Sequence, residues 1–418
     1  MTIVKGYPFY MRSVTKILLW NFAFLVTGVI GAEIFFGKWF QAPDLWSLNI
    51  YRDVKWKFTV PERYHRDGDG YIVMTKDYYG FRSSHGDHSG ADTLVIGGST
   101  TEEGGVDDSE TWVQVFSRCM AREGKPVRTL NAGIAGQTIL GHIESFRRWF
   151  NFVPGLKPKY VIAYVGINEF FVNPNEDSLS KDDRLETVGM RSMLKKVRLH
   201  VKSNSSIYRL YRVIKGNIIA LASGIHPLNY KLYPPGHANI RNGEDHMRAF
   251  FRRSDLMSID LNGVEAKKFR SLTRFNTSVK ISALNKRLTS LRNEILNFGA
   301  EPVLITQRSG DYRIRGNRLL AEPQEHEAMN YFWFEAVNTA IMNFCKMYKM
   351  TCVDLGARIR FGDGDFYDQF HTTPAGSLKV GEFICRALVV NPKFEVRNLN
   401  FPTRSLSVSG DGPQNTNR

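Results

Sequence analysis

From residue 92 the chain alternates between short apolar runs and longer stretches of helical spacing. The short runs are "DTLVIGG", "VRTLNAG", "KYVIAYVGI", "EPVLITQ" and "TCVDLG", each closed by turn residues. "SETWVQVFSRCMAREG" follows the first, with Ser109 as its expected cap and Gly124 as its stop. "ILGHIESFRRWFNFV" follows the second run. "ISALNKRLTSLRNEILNFG" precedes the fourth, with Leu284, Leu288, Leu291 and Ile295 on one helical face, and "EAMNYFWFEAVNTAIMNFCKMYKM" precedes the fifth. Strands that are apolar on both faces belong to a parallel sheet covered on both sides. The pattern therefore predicts an α/β fold of three layers, with its functional edge outside the carboxyl ends of the strands.

This rhythm occupies residues 92–169 and 299–392. Residues 170–298 interrupt it as a basic helical insertion: Met190 to Lys231 holds nine Lys or Arg and no acidic residue, with Tyr208 and Tyr211 interleaved. That stretch reads either as a solvated basic face or as a contact for anionic lipid or glycan. Residues 37–91 read as a linker with short strands around "GYIVMTKDYYGFR", and residues 393–418 have the composition of a disordered tail. At the other end, after a short segment of residues 1–16, Ile17 to Phe36 form an apolar run with the length of a membrane-crossing helix. Lys5, Arg12 and Lys16 precede it, and Trp39 and Phe40 follow at the expected interface. A signal peptide cleaved after Ala32 is the competing reading. The length of the run favours an uncleaved single-pass anchor, with the bulk of the chain outside the cytoplasmic membrane.

A formal net charge of +15 over 418 residues implies an anionic neighbour. With the chain at a membrane, lipid or acidic glycan takes precedence over nucleic acid. The four cysteines, Cys119, Cys345, Cys352 and Cys385, have no metal-type spacing and read mostly as buried thiols; Cys345 and Cys352 can pair in an oxidising compartment. "HGDH" at His85–His88 reads as a solvent-facing loop, not a metal pair. "DGDG" at Asp67–Gly70 fails as a calcium loop, because Tyr78 stands where the bidentate glutamate belongs. No metal or cofactor is expected.

The first apolar run ends in "GGSTTEEGG", which presents Ser99 between glycine and two threonines. A strand, a tight turn and a helix start can expose a serine for nucleophilic attack, and the helix N-terminus behind it favours negative charge. "DQFHTTPAGS", after the last run, puts Asp368 three residues before His371, so that the carboxylate can hold an imidazole in the tautomer that accepts the serine proton. Asn168 closes the third run in "YVGIN", and Gly136 lies in "NAGIAGQT". Each has an ordinary structural alternative as a cap or turn residue. Their arrival in this order at one sheet edge is what points to catalysis.

"GGSTT", "NAGIAGQT", "VGINE" and "DQFH" resemble the four blocks of the SGNH hydrolases, also called GDSL esterases and lipases. The resemblance covers about half the chain. It implies a flavodoxin-like α/β/α core, with Ser99 as nucleophile and oxyanion donor, Gly136 and Asn168 as further oxyanion donors, His371 as general base and Asp368 as its orienter. Two departures stand out: Gly-Gly-Ser where Gly-Asp-Ser is usual, and Glu169 after Asn168. The anchored layout with "YYGFR" upstream resembles bacterial envelope members of the superfamily. The expected function is a membrane-anchored serine esterase acting on small acyl esters, such as O-acetyl groups of an envelope polysaccharide. An acyltransferase with the same triad, a phospholipid-cleaving lipase and a non-catalytic glycan-binding or scaffold protein are the rivals. Oligomeric state stays open.

Overall fold

The five apolar runs become the five strands of one parallel sheet. They are β3 (Thr93–Gly97), β4 (Thr129–Asn131), β5 (Tyr160–Tyr164), β7 (Glu301–Ile305) and β10 (Thr351–Val353), in the spatial order β10-β7-β5-β3-β4. This is the flavodoxin-like order, in which the chain reverses direction across the sheet between β3 and β5 and opens a crevice there. The computed structural model describes residues 8–37, 39–40, 50, 52–59, 71–83, 88–172, 201, 204–222, 247, 249, 255–322 and 325–395. The "DGDG" loop and His85 lie outside the described residues.

Alternation along the strands divides the core in two. Leu94, Ile96, Val161, Ala163 and Leu304 face a layer built from α4 (Ile139–Arg148), α6 (Val264–Asn297) and α7 (Glu325–Met347). Val95, Ile162, Val303 and Ile305 face α3 (Trp112–Arg122), the one-turn α8 (Leu355–Arg358) and α9 (Pro374–Val389). Leu284, Leu288, Leu291 and Ile295 of α6 are all buried against the sheet, as their spacing predicts. The whole helix lies inside the stretch 170–298 expected as an insertion, yet its second half is part of the core layer.

Several local expectations are corrected. Helix α3 is capped by Thr111, whose hydroxyl accepts the Gln114 N–H, while Ser109 lies in a preceding tight turn whose own cap is Asp107. Gly124 follows the helix with φ +73°, as a stop requires. All four cysteines are oxidised. Cys119–Cys385 ties α3 to α9 with Cα atoms 6.1 Å apart, and Cys345–Cys352 ties the end of α7 to β10. The first bridge joins residues 266 apart in sequence, which no spacing argument reveals. His88 is buried and bonded to the Asp77 carboxylate at 2.8 Å, so it is not a solvent-facing residue. Phe394, expected in the tail, is buried and stacked on Tyr160.

Outside the sheet, β1 (Val54–Thr59) and β2 (Tyr71–Lys76) form an antiparallel pair. A small second sheet, β6 (Met257–Asp260), β8 (Arg313–Arg315) and β9 (Arg318–Ala321), packs with α6 and α7. Helix α1 (Pro8–Phe36) carries the apolar run, and Thr15–Phe36 is long and apolar enough to cross a membrane.

Candidate active site

Ser99 opens a one-turn helix, α2 (Ser99–Glu102), directly after β3. Its sharp turn needs both glycines. A Cβ on Gly97 would strike the Thr101 hydroxyl and the Tyr164 carbonyl, and one on Gly98 would strike the Asn168 amide. A side chain at residue 98 would therefore have to displace the Asn168 amide. Asn168 follows β5 in a tight turn, and its Nδ2 donates to the Gln137 carbonyl at 2.8 Å. Gly136, beside Gln137, has φ +72°, a left-handed conformation that glycine adopts without strain. The three expected oxyanion donors therefore stand at one sheet edge. Among the described residues, the backbone N–H groups of Ser99 and Gly136 have no acceptor.

Asp368 and His371 lie in the loop before α9. Asp368 Oδ2 meets His371 Nδ1 at 2.7 Å, and Asp368 Oδ1 accepts the backbone N–H groups of Phe370 and His371 at 2.8 and 2.7 Å. Burial works to raise the Asp368 carboxyl, but the imidazole and those two N–H groups hold it below its ordinary value. The carboxylate binds Nδ1–H and leaves Nε2 as the free acceptor. Tyr367 stacks on the imidazole with ring centroids 5.6 Å apart.

The described residues contain no hydrogen bond from Ser99 Oγ to His371. Glu103 links their two segments instead. It follows α2 in a left-handed conformation, accepts the Trp112 N–H at 2.7 Å through Oε2, and through Oε1 accepts the hydroxyls of Thr372, at 3.0 Å, and Ser377. Burial pushes the Glu103 carboxyl up to about 7, against the opposing pull of Ser377, Trp112, the Arg82 charge and Thr372. The residue after His371 is thus hung from the turn that carries Ser99.

Other supports escaped the motif reading. Arg82, the last residue of "YYGFR", is fully buried: its guanidinium donates to the carbonyls of Glu102, Glu103 and Val106 and pairs with Asp108 at 3.0 Å. Lys76 reaches Glu102 at 2.9 Å and the Gly133 carbonyl at 2.9 Å, while Glu102 accepts the Ala135 N–H. These contacts clamp the turn after Ser99 to the Gly136 loop. Gln307, after β7, donates to the Thr100 hydroxyl and accepts the Ile167 N–H. Glu169, the second departure, accepts the Ile139 N–H at the start of α4 and pairs with Arg287 of α6 at 2.8 Å, both side chains being buried. Its carboxylate fixes the turn that aims Asn168. No cluster of metal-ligating side chains occurs among the described residues.

The GDSL-like lipase/acylhydrolase family profile matches residues 95–275. No curated protein matches the chain. Among solved structures, a catalytic mutant of an acetylxylan esterase from Geobacillus stearothermophilus is 13% identical, with a TM-score of 0.35, covering 72% of this chain and 95% of that one. A GDSL-like lipase from Bacteroides thetaiotaomicron is 12% identical, with a TM-score of 0.32, over 73% and 90%. An esterase from Pseudoalteromonas is 12% identical, with a TM-score of 0.31, over 71% and 96%. The family profile starts inside β3 and runs through the Ser99, Gly136 and Asn168 blocks. Residues 95–275 thus carry the profile of the GDSL-like lipase/acylhydrolase family, which supports a carboxylic ester hydrolase of the SGNH type.

Proposed function

We propose that the protein is a membrane-anchored esterase that removes small acyl groups, with O-acetyl groups of an envelope polysaccharide as the substrate class, through Ser99, His371 and Asp368. The observation that carries this reading is the meeting of three donors beside the serine: Asn168 Nδ2 packed against Gly98, and the unpartnered N–H groups of Ser99 and Gly136. Ser99 Oγ attacks the ester carbonyl carbon as its proton passes to His371 Nε2. Asp368 holds Nδ1–H and offsets the imidazolium charge. The carbonyl oxygen becomes an oxyanion facing the three donors, each worth about 3–4 kcal/mol in the transition state. Collapse breaks the bond to the alcohol oxygen, which leaves with the proton from His371. Water then gives its proton to Nε2, attacks the acyl-serine and releases the carboxylic acid.

Placement outside the cytoplasm is supported by the apolar Thr15–Phe36 segment and by the pairing of all four cysteines, which persists in oxidising compartments. A domain held there meets envelope polymers directly. The test is labelling of the full-length protein by a fluorophosphonate probe, followed by hydrolysis of a short-chain ester. Ser99→Ala is expected to abolish both while the variant stays folded. A folded Ser99→Ala variant with parental activity overturns the assignment. Parental protein that stays unlabelled and inactive points instead to a glycan-binding scaffold. Product analysis with an acetylated glycan separates release of acid from transfer to a second hydroxyl.

A further inference from the structure

Helix α5 (Ser206–Ala222) lies against α1, far along the chain from it. The junction is specific. Glu33, in the last turn of the apolar segment, accepts the Ser205 hydroxyl at 2.5 Å and the N–H groups of Ser206 and Ile207 at 2.9 and 3.1 Å, so its carboxylate caps the start of α5. Trp39 Nε1 donates to the same carboxylate, Ser206 Oγ to the Ala32 carbonyl and Arg209 Nη2 to the Phe36 carbonyl. The start of α5 is thereby pinned where the apolar run of α1 ends.

Beyond that junction one face of α5 is exposed among the described residues. Ile207, Leu210, Tyr211, Ile214, Ile218 and Leu221 recur at helical spacing and are 39–65% exposed. Arg209 and Arg212 occupy the other side, and Lys215 flanks the stripe with its ammonium over the Tyr211 ring. Seventeen residues span about 25 Å, short of a bilayer crossing once the helix is tilted.

We infer that α5 is an in-plane membrane helix: its apolar stripe enters the headgroup–acyl boundary beside the exit point of α1, and its basic residues meet anionic headgroups. Two arguments choose lipid as the occupant. The start of α5 is bonded to α1, whose apolar residues from Ile17 to Phe36 are likewise exposed, and Glu33 sets α5 at the depth where α1 leaves the apolar layer. Glu33 itself is also accounted for, since the N-terminus of α5 supplies the donors that its carboxylate would otherwise take from water. With this second contact, the catalytic domain cannot swing freely about a single tether. The inference rests on the reading of α1 as a membrane anchor.

The experiment keeps the full chain. All four cysteines are in disulfides, so a single introduced cysteine takes an environment-sensitive fluorophore. Leu25→Cys, Ile214→Cys and Ile218→Cys variants are reconstituted in phosphatidylglycerol–phosphatidylethanolamine vesicles holding nitroxide lipids at shallow or deep positions. Leu25 is expected to be quenched most by the deep nitroxide, and Ile214 and Ile218 most by the shallow one, as burial about 5–10 Å into the boundary requires. Quenching at Leu25 with none at Ile214 and Ile218 overturns the inference and leaves the anchor intact. Quenching at none of the three removes the anchor, and the inference with it. Shielded but unquenched labels at Ile214 and Ile218 in a protein of twice the chain mass show pairing of two copies through α5, which also overturns it.

Discussion

Ser99 and Asn168 stand at the ends of β3 and β5, central strands whose residues Leu94, Val95, Ile96, Val161 and Ile162 are fully buried. Asp368 and His371 stand on a loop, with side chains 41% and 25% exposed. The first pair is held by partners from many parts of the chain: Arg82, Lys76, Gln307, Glu169 and the Gln137 carbonyl. The second is held mainly by its own turn, by the Gly310 N–H on the Gln369 carbonyl, and by Glu103 acting through Thr372 and Ser377. In the proposed mechanism one side is a preorganised electrostatic pocket, whose donors must not move when charge develops. The other would carry a proton, and needs one good hydrogen bond and freedom to reorient. Apo geometry with no serine–histidine bond accords with that division, because such bonds tighten when substrate arrives.

The largest effect tests whether the two sides act as one unit. Ser99→Ala and His371→Ala should each lower kcat by about 10⁴–10⁶-fold, and the double variant should be hardly worse than either, as expected for a nucleophile and its base. Steady-state ester hydrolysis measures this; fully additive losses would mean that His371 does not serve Ser99.

Arg82→Met attacks the rigid side through stability. It strips three buried carbonyls of their donor and leaves Asp108 without its charge partner. A loss of about 3–5 kcal/mol in denaturant unfolding is expected. A change under about 0.5 kcal/mol, the size of an ordinary surface substitution, would show that the clamp is not what holds the Ser99 turn.

Asn168→Ala should lower kcat about 10²–10³-fold with little change in KM, the signature of a donor used in the transition state. A loss confined to KM would make Asn168 a substrate-binding residue. Glu169→Gln offers the sharper version, because it weakens the support of Asn168 without removing the amide.

The smallest effect concerns Glu103, the link between the sides. Its carboxyl is raised from 4.5 to about 7, so the folded protein holds that proton more tightly than the unfolded chain does. Its contribution to stability is therefore complete below about 4.5 and declines as pH rises through about 7, by up to about 1.4 kcal/mol per unit. His142 has the opposite sign: burial depresses it to about 3, so its share is lost as pH falls below the ordinary histidine range. Comparing the parent with Glu103→Gln cancels the His142 contribution. The stability difference between them should shift in favour of Glu103→Gln as pH rises from about 5 to 8. A constant difference across that range would show that Glu103 does not titrate there.

The amino-acid sequence by itself determined the five strands, because a strand buried on both faces must be apolar throughout and each of these runs is closed by turn residues. It also singled out Ser99, Gly136, Asn168, Asp368 and His371 as candidates, because tight turns, a turn glycine and an Asp three residues before a His are local features written in adjacent letters. The Thr111 cap was missed for a related reason: Ser109 and Thr111 both suit the role, and only the packing of Trp112 chose between them. What only the tertiary structure decided is every partner distant in sequence. Arg82 meets Glu102, Glu169 meets Arg287, Gln307 meets Thr100, Cys119 meets Cys385 and Glu33 caps α5. Each of these residues is an ordinary charged, amide or thiol side chain in its own neighbourhood. Its role comes from burial, which removes water as an alternative partner and makes a single distant group the one that must satisfy it.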